Sequence, residues 1–151
     1  MRVAVAFDHR GFSLRETVLG AVRELGHEPV DLGVESPEPR VDYPDLALAL
    51  GNVLLAGDAE RGVLVCGSGV GASVAANKLD GIRAAICHDI YSAHQGVEHD
   101  DMNILCLGSE VVGPSLAADL VGVFLGAEFD GGARYRRRLE KIEEMEGMKH
   151  G

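Results

Sequence analysis

The chain has 151 residues and a formal charge of −10, a length that suits one domain with a real core and a charge that gives no basic field for wrapping nucleic acid. With 46% hydrophobic residues and five prolines, the composition is globular and not disordered. No apolar run reaches the roughly 20 residues of a membrane span, and the N-terminus enters a strand without a leader pattern. The cysteines at 66, 87 and 106 lack CxxC spacing, so the expectation is one cytoplasmic domain over 1–151 with reduced thiols.

The elements alternate from the start. A strand over 3–7 (VAVAF) leads into a helix near 12–25, with Leu14, Val18, Val22 and Leu25 in helical spacing. A strand over 28–33 precedes a helix over 44–57, with Pro44 in the first turn. Strand 62–66 (GVLVC), helix 70–79, strand 82–87 (IRAAIC), helix 91–98, strand 103–108 (NILCLG) and a helix over 114–126 opened by Pro114 complete the alternation. Short apolar strands separated by helices predict an α/β fold, a five-stranded parallel sheet with both faces covered. A final charged helix over 133–146 carries only Leu139 and Ile142 as an apolar stripe. So narrow a stripe predicts packing across a subunit interface and at least a dimer; residues 147–151 read as a frayed tail.

In open α/β sheets ligands bind beyond the carboxyl ends of the strands. The residues there are Asp8, His9 and Arg10, then Cys66, Gly67, Ser68, Gly69 and Gly71, then His88 and Asp89, then Ser109 and Glu110. The glycines let backbone approach a ligand and aim N–H groups at an anion. The stretch lacks the GxxxxGK[ST] of a P-loop, and Ala72 stands where a dinucleotide fingerprint has its third glycine. Cys66, where strand meets cradle, is either a reactive thiol or an inert buried one.

A second cluster, HDIYSAHQGVEHDDMN, carries His88, His94, His99, Asp100 and Asp101. Its spacing is not that of HExxH, so no metal site is expected. His99, read as lying in the loop before the last strand, is the candidate general acid or base at the same rim as Cys66. His94 is read as a solvated surface group. The run Arg134, Tyr135, Arg136, Arg137, Arg138 is either a seat for one small anion or a solvated face balanced by Glu140, Glu143 and Glu144.

Together, FDHRGF (7–12), DYP (42–44), CGSGVGASVAANK (66–78), GIRAAIC (81–87), HDDMN (99–103) and ARYRRRLEKI (133–142) resemble the type B ribose-5-phosphate isomerase family, which includes the galactose-6-phosphate isomerase subunits. The resemblance implies a Rossmann-like three-layer α/β/α sandwich whose C-terminal helix packs on a partner subunit. It also implies a homodimer, sometimes paired into tetramers, sites shared between subunits, and cofactor-free isomerisation of a sugar-phosphate substrate, ribose 5-phosphate by default. By that likeness Cys66 is the base, Ser68 moves protons between the oxygens, and the amides around Gly67, Gly69 and Gly71 form the anion hole. His99 matches the ring-opening histidine, Asp8, His9 and Tyr43 match sugar or phosphate contacts, and Arg134 and Arg138 match the phosphate pair. Three positions depart from the family pattern: Val97 replaces an arginine, and Asp100, matched to a substrate contact, replaces an asparagine that helps hold the reacting oxygens. Glu110 stands where many members have an arginine that joins the phosphate site from the partner subunit. A tetrose, allose or galactose phosphate is therefore an alternative substrate, and a non-catalytic phosphosugar- or nucleotide-binding module is the alternative of another class.

Overall fold

The computed structural model describes residues 1–149. Its strands are β1 (Arg2–Phe7), β2 (Glu28–Asp31), β3 (Arg61–Cys66), β4 (Ala84–Ile86) and β5 (Ile104–Gly108). A 3-10 turn (Gly11–Leu14) runs into α1 (Arg15–Glu24), followed by α2 (Tyr43–Leu55), α3 (Val70–Ala76), α4 (Ile90–Asp100), α5 (Pro114–Gly126) and α6 (Ala133–Met148). The sheet order is β2-β1-β3-β5-β4, and every neighbouring pair is parallel.

Strand residues alternate between two cores. Val3, Val5, Phe7, Val63, Val65, Leu105 and Leu107 pack with Val18 and Val22 of α1, Val97 of α4, and Leu120 and Phe124 of α5. On the other face Ala4, Ala6, Leu64, Ile104 and Cys106 meet Leu50 of α2 and Ala72 and Ala76 of α3. Burial on both faces is why these strands read as unbroken apolar runs.

Several element ends differ from the sequence expectation, and local hydrogen bonds explain them. Helix α3 stops at Ala76 because the Asn77 side chain turns to the edge strand. Its Nδ2 donates to the Ala84 carbonyl and its Oδ1 accepts the Ala84 N–H, both at 2.8 Å. That contact satisfies part of an otherwise open edge. Strand β4 begins late because the Arg83 N–H goes to Asn103 Oδ1 at 2.7 Å. Helix α4 runs on to Asp100 from an N-cap at Asp89, whose carboxylate accepts the Ser92 N–H at 2.7 Å, and ends at Asp101 with φ 48°. Helix α6 continues through Met148, into the stretch expected as a tail, and Lys149 pairs with Asp80 at 2.9 Å. Residues 150 and 151 of that stretch lie outside the described residues.

Two consequences place the site. The chain winds from β1 outward to β2, then crosses back to β3 and continues the other way. The crevice between the carboxyl ends of β1 and β3 is thus the topological switch point, where such sheets bind ligands. Helix α6 is anchored at the opposite, amino edge. Just before it, the Asp130 N–H donates to the Glu98 carbonyl at 2.9 Å, and near its end Glu146 Oε1 accepts the Gly81 N–H at 3.0 Å. Its Met145 stays 63% exposed. Among the described residues no helix is long and apolar enough to cross a membrane.

Candidate active site

The switch-point crevice is built mostly from backbone. Asp8, 6% exposed at the end of β1, accepts the N–H groups of Arg10 (2.9 Å) and Gly11 (2.7 Å) through Oδ1. That bond fixes the turn and leaves Oδ2 without a protein donor among the described residues. His9 Nδ1 accepts the Val41 N–H at 3.4 Å, which puts the proton of a neutral ring on Nε2. Asp8, His9, Val41, Asp42, Tyr43, Pro44 and Asp45 line a cleft of about 400 Å³.

The glycine loop follows from β3. Gly69, at φ 82°, takes the left-handed conformation that lets the chain turn from strand into helix. Its N–H donates to Cys66 Sγ at 3.1 Å, and the Val70 N–H donates to Ser68 Oγ at 3.2 Å. Ser68 is exposed while Cys66 and both adjoining glycines are buried. Among the described residues the Gly71 N–H has no protein acceptor. A Cβ on Gly71 would lie 2.2 Å from the Tyr43 ring, and one on Gly67 would lie 2.5 Å from Arg10 Cζ. The two glycines therefore leave room for side chains that cover the loop.

The other expected residues assemble elsewhere. His99 stacks on Tyr135 with ring centroids 4.5 Å apart and planes 16° apart. Its Nδ1 takes an N–H from Gln95 at 2.8 Å, leaving Nε2 as the neutral ring's donor. Arg134 lies over the Tyr135 ring at 4.7 Å and donates to its hydroxyl at 2.6 Å, and Arg138 lies over the same ring at 5.8 Å. Tyr135 is 6% exposed and both arginines are exposed. Two cations and a histidine thus share one aromatic support.

These findings correct the expected layout. His99 is not in a loop and not at the rim of Cys66: it belongs to the last turn of α4, just before the amino end of β5, whereas Cys66 is level with Gly108 at the other end. The offset is at least the length of β5, roughly 13 Å. Asp100 shares that amino edge and lines a groove with Ile142 and Met145 of α6. The structure therefore brings together Asp8, His9, Tyr43, Cys66, Gly67, Ser68, Gly69 and Gly71, and separately His99, Arg134 and Arg138. Val97 is fully buried in the core. Glu110 lies at the carboxyl edge as expected, where its N–H donates to the Gly67 carbonyl at 3.0 Å beside its own chain's cradle.

Sequence reasoning also missed three roles. Tyr135 sits four and seven residues before Leu139 and Ile142, a spacing that could have marked it as the inward face of α6. His88 accepts the Gly108 N–H through Nε2 at 3.0 Å, and burial lowers its pKa below the usual 6.5; it serves the end of β5. Arg136 donates to the Gly131 carbonyl at 2.6 Å and supports the turn into α6. Among the described residues no cluster of three or more His, Cys, Asp or Glu is placed to hold a metal.

Comparison with known proteins bears on this arrangement. A family model described as Ribose/Galactose Isomerase matches residues 3–142. Ribose-5-phosphate isomerase B of Escherichia coli is 42% identical over 145 residues, 96% of each chain. D-erythrulose-4-phosphate isomerase of Pectobacterium atrosepticum is 35% identical over 94% of this chain and 93% of its own. The solved structure of ribose-5-phosphate isomerase B from Clostridium thermocellum superposes with a TM-score of 0.94 at 42% identity, covering 99% of both chains.

Proposed function

Because the chain belongs to the ribose/galactose isomerase family, we propose that it interconverts the aldose and ketose forms of a phosphorylated sugar through an enediolate, in a site built by two copies of the chain. The observation that carries this reading is where Cys66 sits among the three free thiols. Burial pushes the Cys87 thiol up to about 11 and the Cys106 thiol higher still. Cys66 alone of the three ends a strand at the switch point, with its sulfur receiving a backbone N–H.

Each step then has a residue. His99 of the second copy opens the sugar ring by moving a proton at the ring oxygen. Cys66 Sγ takes the proton from C2 of the open aldose and returns it to C1, which moves the carbonyl by one carbon. Negative charge on O1 meets the backbone N–H groups of the loop around Gly67, Gly69 and Gly71, donors that need no reorganisation as charge develops. Ser68 Oγ passes a proton between O1 and O2, and Asp8, His9 and Tyr43 hold the chain of hydroxyls. Arg134 and Arg138 of the second copy grip the phosphate, a role for which the planar guanidinium fork is suited. The half-exposed apolar face of α6 supports a homodimer in which that helix is covered. Three reduced thiols suit the cytoplasm.

Ribose 5-phosphate is the default substrate, and relatives named for a five-carbon and for a four-carbon sugar phosphate support testing chain length directly. Wild type and Cys66→Ala are assayed on ribose 5-phosphate, allose 6-phosphate, galactose 6-phosphate and erythrulose 4-phosphate. Removing the base should cost about 10²–10⁴-fold in turnover on whichever sugar is used. No turnover of any of the four by folded, dimeric wild type would sink the isomerase reading and leave a phosphosugar-binding module.

A further inference from the structure

The cradle has a cation of its own that the roles above leave unused. Arg10 is held at both backbone polar groups: its N–H goes to Asp8 Oδ1 at 2.9 Å and its carbonyl accepts Ser109 Oγ at 2.7 Å. The side chain therefore starts from a point fixed by the loops after β1 and β5. Its guanidinium lies on Gly67, where a Cβ would come within 2.5 Å of Cζ and 2.7 Å of Nε and Nη1. Gly67 adjoins both Cys66 and Ser68, so this charge is one residue from the proposed base.

The guanidinium is exposed, and among the described residues it has neither a hydrogen bond nor an ion pair. It does not pair with Glu110, although that residue's N–H donates to the Gly67 carbonyl. Around it the crevice is acidic, with Asp8, Asp42 and Asp45 on the cleft beside His9 and Tyr43. A phosphate dianion entering between these carboxylates and Glu110 would be repelled unless a cation met it there. An unpaired, always-charged fork at that point is suited to an anion with two or three acceptor oxygens.

We propose that Arg10 is a substrate-binding residue that grips the sugar's phosphate from the same chain as Cys66. The phosphate is then held between cations of two copies, Arg10 on one side and Arg134 and Arg138 on the other. This rests on the isomerase reading for the identity of the ligand. It also removes the difficulty posed by Glu110, because the charge at that place comes from the loop after β1.

Inorganic phosphate binding by calorimetry tests the proposal without requiring turnover, on the full-length assembled protein with sugar-phosphate kinetics alongside. Arg10→Ala should weaken the phosphate Kd about 10- to 100-fold, as expected for one charge-assisted contact. KM should rise in parallel while kcat changes little. In Arg10→Ala/Glu110→Arg a cation returns on the residue whose N–H donates to the Gly67 carbonyl, and most of the lost affinity should return. Three results would each overturn it: a Kd in Arg10→Ala within twofold of wild type at unchanged thermal midpoint, a loss that the double variant does not recover, or wild type that fails to bind phosphate. If wild type binds phosphate but isomerises no sugar phosphate, the isomerase reading falls while the Kd comparison still decides the role of Arg10.

Discussion

The two edges of the sheet hold two kinds of half-site. At the carboxyl edge the working groups are a backbone loop and buried side chains fixed by short bonds to it: Cys66 by the Gly69 N–H, Asp8 by two amides. At the amino edge two long exposed arginines, Arg134 and Arg138, and the half-buried His99 are arranged around one buried ring, Tyr135. The first is set before ligand arrives, as charge stabilisation in a transition state requires. The second suits the proposed grip on a mobile dianion, for which reach matters more than rigidity. Under the proposed roles neither group holds both the base and the phosphate pair, and a dimer with two-fold symmetry would place each against its complement.

That division predicts the largest effect. Cys66→Ala and His99→Asn chains should each be nearly inactive as homodimers. Co-expressed with separate tags, half of the randomly paired dimers are mixed, and one of the two sites in each has both an intact cradle and an intact His99. Activity should return to roughly a quarter of wild type per site, the statistical value for an isologous dimer. Recovery no greater than the sum of the two parents would mean that each chain holds a complete site, contrary to the separation of Cys66 from His99.

How much of this was legible follows the same line. The strands, their parallel arrangement and the carboxyl-edge residues could be read, because apolar runs ending in Asp8 and Cys66 carry their position with them. The expected placement of His99 at the rim of Cys66 is the one that fails, although the information is present in the sequence. In a parallel sheet, a residue a few positions before a strand must lie at the amino edge, whether helix or loop precedes it. Arg10 was visible only as one of the residues after the first strand. Its contact with Gly67 joins positions 57 residues apart in sequence and depends on how the loops after β1 and β3 meet. The same holds for the stack of Tyr135 on His99, since nothing in either local sequence specifies a partner.

A second prediction sharpens the contrast within the carboxyl edge. A Cβ on Gly108 would lie 2.6 Å from the backbone carbon and oxygen of Ser68, whereas the nearest atoms to a Cβ on Gly71 belong to the Tyr43 ring. Backbone in the loop cannot step aside without moving the cradle, but a ring can rotate away. Gly108→Ala should therefore cost about 1–3 kcal/mol of stability in denaturant unfolding, in the range of overpacked cores. Gly71→Ala should leave stability near wild type and raise KM through the displaced Tyr43. Equal stability losses in both would show that Tyr43 is as fixed as the backbone.

The smallest effect concerns acid. His88 accepts the Gly108 N–H, and burial lowers its pKa below 6.5, an effect that neighbouring Asp89 partly opposes. His27, at the amino edge, is shifted the same way by burial and then by the N-terminal charge. For a histidine with a depressed folded pKa, the unfolded chain binds more protons between the folded value and about 6.5. The stability it contributes is complete above about 6.5 and is lost as pH falls through the folded value. The thermal midpoint should therefore decline between pH 7.5 and 5.5. His88→Gln keeps an acceptor for Gly108 but does not titrate, so the decline should shrink in that variant. An unchanged decline would assign the acid sensitivity to His27 and the amino edge. A shrunken one places it beside the cradle, because a protonated His88 turns a second N–H toward Gly108, whose Cα packs directly on the backbone of Ser68.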